Sequence, residues 1–130
     1  PFLRVLELIE NYLRLEQTRF EDQISVTYYI MERDFCIPPF TVQPLVENAV
    51  KHGMAGKDRV RIWIESCRVE GGWQVVVRDD GVGFSPTEPP ADEPSGLRNI
   101  RELLRLRGWG TLTIDSGPGR GTCATLFFCE

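Results

Sequence analysis

Trp73-Gln74-Val75-Val76-Val77-Arg78-Asp79-Asp80-Gly81-Val82-Gly83 joins a strand pattern to a glycine-rich turn through two adjacent carboxylates. Side chains along a strand alternate between faces, so Trp73, Val75 and Val77 point one way and Asp79 falls on the same side. If that side meets the core, a carboxylate ends a buried apolar row. Leaving such a group unpaired costs on the order of 1–3 kcal/mol or more, so a donor has to meet it. An adenine amino group is such a donor, whereas guanine offers its O6 as a second acceptor. Gly81 and Gly83 let the backbone pass close beneath a base. A plain turn and a calcium loop are the other readings of Asp-Asp-Gly, and the spacing of an EF-hand is missing.

Upstream, Val60 to Cys67 is a second strand that folds back on the first through Glu70-Gly71-Gly72, so the two are expected to pair antiparallel. Ile24 to Met31, rich in β-branched and aromatic residues, is a further strand, ended by the Asp34 to Pro39 stretch. A helix follows, with Thr41 as its cap, Pro44 in its first turn and an apolar stripe of Val42, Leu45, Val46, Ala49 and Val50 that stops at Gly53. Glu47, Asn48, Lys51 and His52 lie near or on its other side. Asn48 is spaced i,i+3 from Lys51 and i,i+4 from His52, which gathers an amide, an ammonium and an imidazole on one flank. Taken alone, that flank reads as a solvated helix face rather than a site. Leu3 to Phe20 is an amphipathic helix on the spacing of Leu3, Leu6, Ile9, Leu13 and Leu15, with Arg4, Glu7, Arg14 and Arg19 on its other face.

Downstream, the stretch from Gly81 to Ser95, rich in Pro, Gly and acid, reads as a mobile loop. A helix from Leu97 to about Leu106 turns Leu97, Ile100, Leu103 and Leu104 inward, and strands at Thr111 to Ser116 and Thr122 to Phe128 close the chain through Gly117-Pro118-Gly119-Arg120-Gly121. The helix start at Ser95-Gly96-Leu97-Arg98-Asn99 offers free backbone N–H groups that favour an anion such as phosphate. Gly119-Arg120-Gly121-Thr122 also reads as a simple hairpin. Together the elements predict an α+β two-layer sandwich, a mixed and mostly antiparallel sheet covered on one face by helices.

The 130 residues, 42% of them hydrophobic and 26% charged, fit one ordinary globular domain. A net charge of -4 and scattered basic residues argue against a nucleic-acid binder. No apolar run approaches the ~20 residues that span a bilayer, so no membrane contact is expected of this segment. Pro1-Phe2-Leu3-Arg4 reads as the start of a piece cut from a longer protein. Cys36, Cys67, Cys123 and Cys129 show neither zinc-ligand spacing nor a disulfide framework, and are expected as reduced thiols.

The order of the motifs is more specific than any one of them. Gln43 to Gly53, Asp79-Asp80-Gly81-Val82-Gly83, Gly96-Leu97-Arg98-Asn99 and Gly119-Arg120-Gly121-Thr122 resemble the asparagine box and the three glycine boxes of the GHKL (Bergerat-fold) ATPases. The nearest subgroup is the LytS-type sensor histidine kinases, and Tyr12 to Asp22 is similar to the segment that links their phosphoacceptor helices to the ATPase domain. Residues 1–22 are accordingly expected to be the last part of that linker or dimerisation helix, and residues 23–130 the catalytic ATP-binding domain.

The resemblance implies ATP and Mg²⁺ as ligands, with Asn48 holding the ion through its side-chain oxygen. Lys51 and His52 would approach the phosphates and Asp79 would read the adenine. Gly81 and Gly83 would pass under the base, Gly96, Leu97 and Asn99 would belong to the phosphate-contacting helix start, and Thr122 would lie near the adenine pocket, with residues 84–95 as a short lid. This chain has Pro94-Ser95-Gly96 where the family often has Gly-x-Gly, and Asp79-Asp80-Gly81 for the usual Asp-Asn-Gly. No Gly-x-x-x-x-Gly-Lys of the Walker type is present.

Hydrolysing relatives such as gyrase carry a Glu four residues before the magnesium Asn, where this chain has Pro44. Glu47 remains an assistant candidate, turned about 100° from Asn48 by helix geometry. The expectation is therefore transfer of the γ-phosphate to an external nucleophile: a His on an upstream segment of the same, homodimeric parent kinase, with a response regulator further along. The domain itself is expected to be monomeric and cytoplasmic. His52, inside the nucleotide motif, reads as a phosphate neighbour rather than the acceptor. Two other readings stand beside this one: a GHKL-type Ser/Thr protein kinase of the anti-sigma-factor kind, and an interaction module that has lost ATP binding.

Overall fold

A computed structural model describes residues 1–19, 23–38, 40–53, 59–81, 95–117 and 121–130. In chain order the elements are α1 (Phe2–Arg19), β1 (Ile24–Ile30), α2 (Gln43–Gly53), β2 (Val60–Val69), β3 (Gly72–Asp79), α3 (Ser95–Arg107), β4 (Gly110–Gly117) and β5 (Gly121–Cys129). The five strands form one sheet in the order β1-β2-β3-β5-β4. Among the described residues only the β1–β2 pairing is parallel; β2–β3, β3–β5 and β4–β5 are antiparallel. Parallel neighbours need a crossover of a dozen residues or more, and α2 lies within it. The β2–β3 hairpin closes with Val69 opposite Gly72, and Gly71 takes φ 83°, a left-handed conformation that glycine adopts without a Cβ clash.

One face of the sheet is apolar and covered. Ile62 and Ile64 of β2, Val75 and Val77 of β3, Ala124, Leu126 and Phe128 of β5 and Leu112 of β4 are buried there. All three helices pack on that side: α2 against β2, β3 and β5, α1 against α2 and β1, and α3 against β4 and α2. The α2 stripe of Val42, Leu45, Val46, Ala49 and Val50 is buried throughout, as its spacing predicts. None of the described helices is long and apolar enough to cross a membrane.

Three expectations about packing need correction. In α1 the buried residues are Phe2, Leu6, Ile9 and Leu13, at steps of four, three and four. Leu3 and Leu15 are 44% and 72% exposed, because each stands one or two positions off that stripe, and each position rotates a side chain by about 100°. Leu103 of α3 is likewise exposed, while Leu97, Ile100 and Leu104 face inward. Thr41 does not begin α2: its hydroxyl donates to the Pro38 carbonyl oxygen at 2.9 Å, and the first helical bonds, from the Leu45 and Val46 N–H groups, go to the Val42 carbonyl.

An irregular segment supplies a core residue that no periodicity marks. Phe35 stacks on Phe2 at 4.7 Å between ring centroids and on Trp73 at 5.5 Å, and its carbonyl accepts the Phe2 N–H at 2.8 Å. The Arg68 guanidinium covers the Trp73 ring at 4.7 Å and pairs with Glu130 at 2.7 Å. Phe35 thus ties the start of α1 to the sheet. Phe35→Ala should lower the unfolding free energy by about 3 kcal/mol, the usual cost of deleting a buried ring, as measured by urea denaturation.

Candidate functional site

At the end of β3, Asp79 keeps the alternation begun by Val75 and Val77 and is buried, 8% exposed, on the covered face. Strand register places it opposite Ile62 of β2 and Thr122 of β5, and Thr122 in turn opposite Ser116 of β4. A cross-strand row of Ile62, Asp79, Thr122 and Ser116 results. The Asp79 Oδ1 accepts the Gly81 N–H at 2.8 Å, which curls the chain back over the carboxylate. The Ser116 hydroxyl donates to the Gly121 carbonyl oxygen at 2.9 Å and lies 2.8 Å from the Thr122 hydroxyl. With its own proton given to Gly121, Ser116 accepts from Thr122, which leaves Thr122 as an acceptor beside Asp79.

Gly121 is fixed by two independent constraints. Its φ is +79°, and a Cβ at this position would run into the Asp79 carbonyl oxygen and crowd the Asp80 Cα. The start of β5 therefore lies directly on the backbone of the Asp79–Asp80 turn. Sequence reading grouped Gly121 with a glycine box but missed this contact, and it missed Ser116 altogether. Inward parity after Leu112 and Ile114 was the available signal for Ser116.

The α2 residues divide by environment. Asn48 is half-buried, and Glu47 and Lys51 are exposed. His52 occupies the second-last position of the helix, and its side chain lies outside what is described. Because α2 packs on β3 and on α3, the helix carrying Asn48 rests on the strand that ends in Asp79 and beside the helix whose first turn contains Gly96. Leu97 is a core side chain, so only its backbone can serve a ligand at that helix start, and Asn99 is exposed. Gly81 is buried; Gly83, residues 84–94 of the expected lid, Gly119 and Arg120 lie outside the described residues.

Glu47 looks toward α1. Its Oε1 lies 3.5 Å from Gln43 Nε2, and its charge acts on the Tyr12 phenol. Burial, then the charges of Glu16 and Glu47, push the Tyr12 pKa up to about 12, with Arg19 opposing. Among the described residues no cluster of three His, Cys, Asp or Glu is arranged to hold a metal ion. A magnesium ion bound mostly by water and phosphate needs few protein ligands, and a lone side-chain amide oxygen such as that of Asn48 suits it chemically.

The opposite face carries a different chemistry. Trp63, Arg78, Cys123 and Asp115 form the neighbouring cross-strand row, pointing away from the helices, and share with Asp79, Asp80, Ser116, Gly121 and Thr122 the walls of a recess of about 270 Å³ at the end of the sheet. The Arg78 and Arg61 guanidinium groups lie 4.7 and 5.6 Å from the Trp63 ring centroid. Asp80 belongs to this side: its Oδ2 pairs with Arg61 Nε at 2.9 Å.

Residues 40–130 match the family described as histidine kinase-, DNA gyrase B- and HSP90-like ATPases. The sensor histidine kinase YpdA of Escherichia coli (strain K12) is 38% identical over 112 residues, which cover 75% of this chain and 19% of YpdA. The sensor protein LytS of Staphylococcus haemolyticus is 37% identical over 112 residues, 78% of this chain and 19% of LytS. YwpD of Bacillus subtilis is 35% identical over 96% of this chain and 48% of its own length. The chain thus spans about half or less of these relatives. In fold it is similar to the blue-light activated histidine kinase of Erythrobacter litoralis EL346, with a TM-score of 0.74 and 22% identity over 99% of this chain and 42% of that one. The mycobacterial sensor histidine kinase MprB gives a TM-score of 0.68 at 19% identity, covering 96% of this chain and 95% of that one.

The Tyr12 environment gives a pH test. An unfolded chain releases a tyrosine proton near 10, so the stability from holding Tyr12 neutral is complete below about pH 10 and is lost as pH rises toward 12. Tyr28 is raised too, by burial and then Glu10. Tyr12→Phe should therefore remove part of the alkaline loss of stability, seen in denaturation between pH 9 and 12, and Glu47→Gln should lower the Tyr12 midpoint in an ultraviolet phenolate titration.

Proposed function

The chain belongs to the family of histidine kinase-, DNA gyrase B- and HSP90-like ATPases, and from that premise we propose that it is the catalytic ATP-binding domain of a sensor histidine kinase, binding Mg-ATP and passing the γ-phosphate to a histidine outside residues 1–130. The reading is carried by Asp79, a carboxylate buried at the end of an apolar row beside the acceptor oxygen of Thr122. Two acceptors side by side suit an exocyclic amino group, and they repel a carbonyl at the same position. Adenine fits that requirement and guanine fails it.

In this proposal Asn48 would hold Mg²⁺ through its side-chain oxygen, and the ion would supply charge neutralisation between the phosphates. Lys51 and His52 of α2 would serve the phosphates, as would the free N–H groups of Gly96 and Leu97 in the first turn of α3 and, further along that helix, the side chain of Asn99. Gly81 and Gly83 are assigned to the loop beneath the base. Phosphoryl transfer asks mainly for positioning and charge compensation, both of which this set provides. The γ P–O bond breaks as the acceptor imidazole nitrogen forms its bond to phosphorus, and ADP leaves.

Water is a poor competitor in this site. Pro44 stands where hydrolysing relatives carry a Glu, and Glu47 is engaged on the α1 side, near Gln43 and Tyr12. Residues 1–22 act as the end of the linker, residues 23–130 as the catalytic domain, and the setting is the cytoplasm.

Two measurements test the proposal. In calorimetry with Mg-ATP, Asp79→Asn should weaken binding about tenfold or more, because one acceptor oxygen becomes a donor facing the amino group; unchanged affinity would overturn the assignment of the base-reading residue. Radiolabelled ATP mixed with this domain and a separate segment bearing the acceptor His should label that segment. Absence of label under conditions where ATP binds would refute the kinase reading.

A further inference from the structure

Asp80 holds the turn at the site from the far side of the sheet. Its Oδ1 accepts the Arg61 backbone N–H at 2.6 Å, its Oδ2 accepts Arg61 Nε at 2.9 Å, and its own N–H donates to the Arg61 carbonyl at 3.1 Å. The last of these carries the β2–β3 backbone ladder one residue past the Ile62–Asp79 pair, and the two carboxylate bonds hold it in place. The Arg61 guanidinium lies over the Trp63 ring, which in turn carries Arg78. On the other side Gly121 rests against the Asp79 carbonyl and the Asp80 Cα. Asp79 therefore sits between a clamp on one sheet face and a close-packed glycine on the next strand.

The side chains of Arg61 and Asp80 are 68% and 32% exposed, so as an ion pair they add little to global stability. Their geometric effect is larger. A carboxylate at residue 80 satisfies both the backbone N–H and the guanidinium of Arg61, whereas an amide can accept from one and presents its NH₂ to the other.

We propose that Asp80, clamped by Arg61, is the positioning residue for the Asp79 carboxylate, setting the turn that carries the Asp79–Gly81 bond and so the geometry with which Asp79 meets the purine amino group. This rests on the ATP reading given above. Asp80 acts through Asp79 and touches no nucleotide.

The test uses the whole 130-residue chain with Asp80→Ala, Asp80→Asn and Arg61→Ala. Hydrogen exchange of the Gly81 amide is followed by NMR without nucleotide, and binding of ATP and of purine riboside triphosphate, which lacks the 6-amino group, is measured by calorimetry. For Asp80→Ala, Gly81 exchange should speed up about tenfold and ATP affinity fall about tenfold, with purine riboside triphosphate changing less than twofold and Tm nearly constant. Asp80→Asn, keeping the bond to the Arg61 N–H, should recover most of the protection, and Arg61→Ala should match Asp80→Asn. Unchanged Gly81 exchange in Asp80→Ala overturns the clamp. Equal weakening of both nucleotides overturns the link to base reading. Wild-type protein that binds neither nucleotide refutes the proposed function, while Gly81 exchange still decides whether Asp80 fixes the turn.

Discussion

A carboxylate buried at the end of an apolar strand is the constraint around which this end of the molecule is organised. Water cannot reach Asp79 freely, so the protein has to offer it donors and hold them in place. The Gly81 N–H provides one from within the turn. Thr122 and Ser116 complete the row with hydroxyls that satisfy one another and the Gly121 carbonyl, so the β4–β5 end of the row is internally closed. Thr122 and Asp79 stand opposite one another on neighbouring strands, and that pair of oxygens is what the proposed reading of an adenine amino group rests on.

The thinness of the sheet explains why both faces take part. Asp79 and Asp80 are consecutive, so the alternation that buries one turns the other toward the open side. There Asp80 meets Arg61, and Trp63 lies under two guanidinium groups that would otherwise repel. The covered face supplies hydrophobic burial and the polar row; the open face supplies charge pairing that keeps the register of the strands beneath it.

Much of this was legible in the sequence where a strict period applied. Val75, Val77 and Asp79 fall on one side as alternation requires, and the α2 stripe from Val42 to Val50 is buried to the last residue. Where two leucines lay close in sequence, periodicity could not choose between adjacent helix rotations, and Leu3, Leu15 and Leu103 were assigned to the core wrongly. Phe35 escaped because an irregular segment has no period to read. Arg61 and Asp80 are 19 residues apart, and their pairing depends on strand register, which hairpin composition alone does not number. Gly121 carried a glycine signal, but its reason, the backbone of another strand pressed against it, exists only in three dimensions.

The tight Glu70–Gly71 turn joins β2 and β3 at the end of the sheet remote from Asp79, with both of its residues exposed. Seven residue steps along β3, at ~3.3 Å each, separate it from Asp79 by roughly 23 Å. Antiparallel partners on either side keep their neighbours even when the tip between them is opened, whereas a break near α2 would sever the only covalent route between two parallel strands. A fluorescent reporter or an epitope inserted at that tip would thus ride on the domain without disturbing its working end.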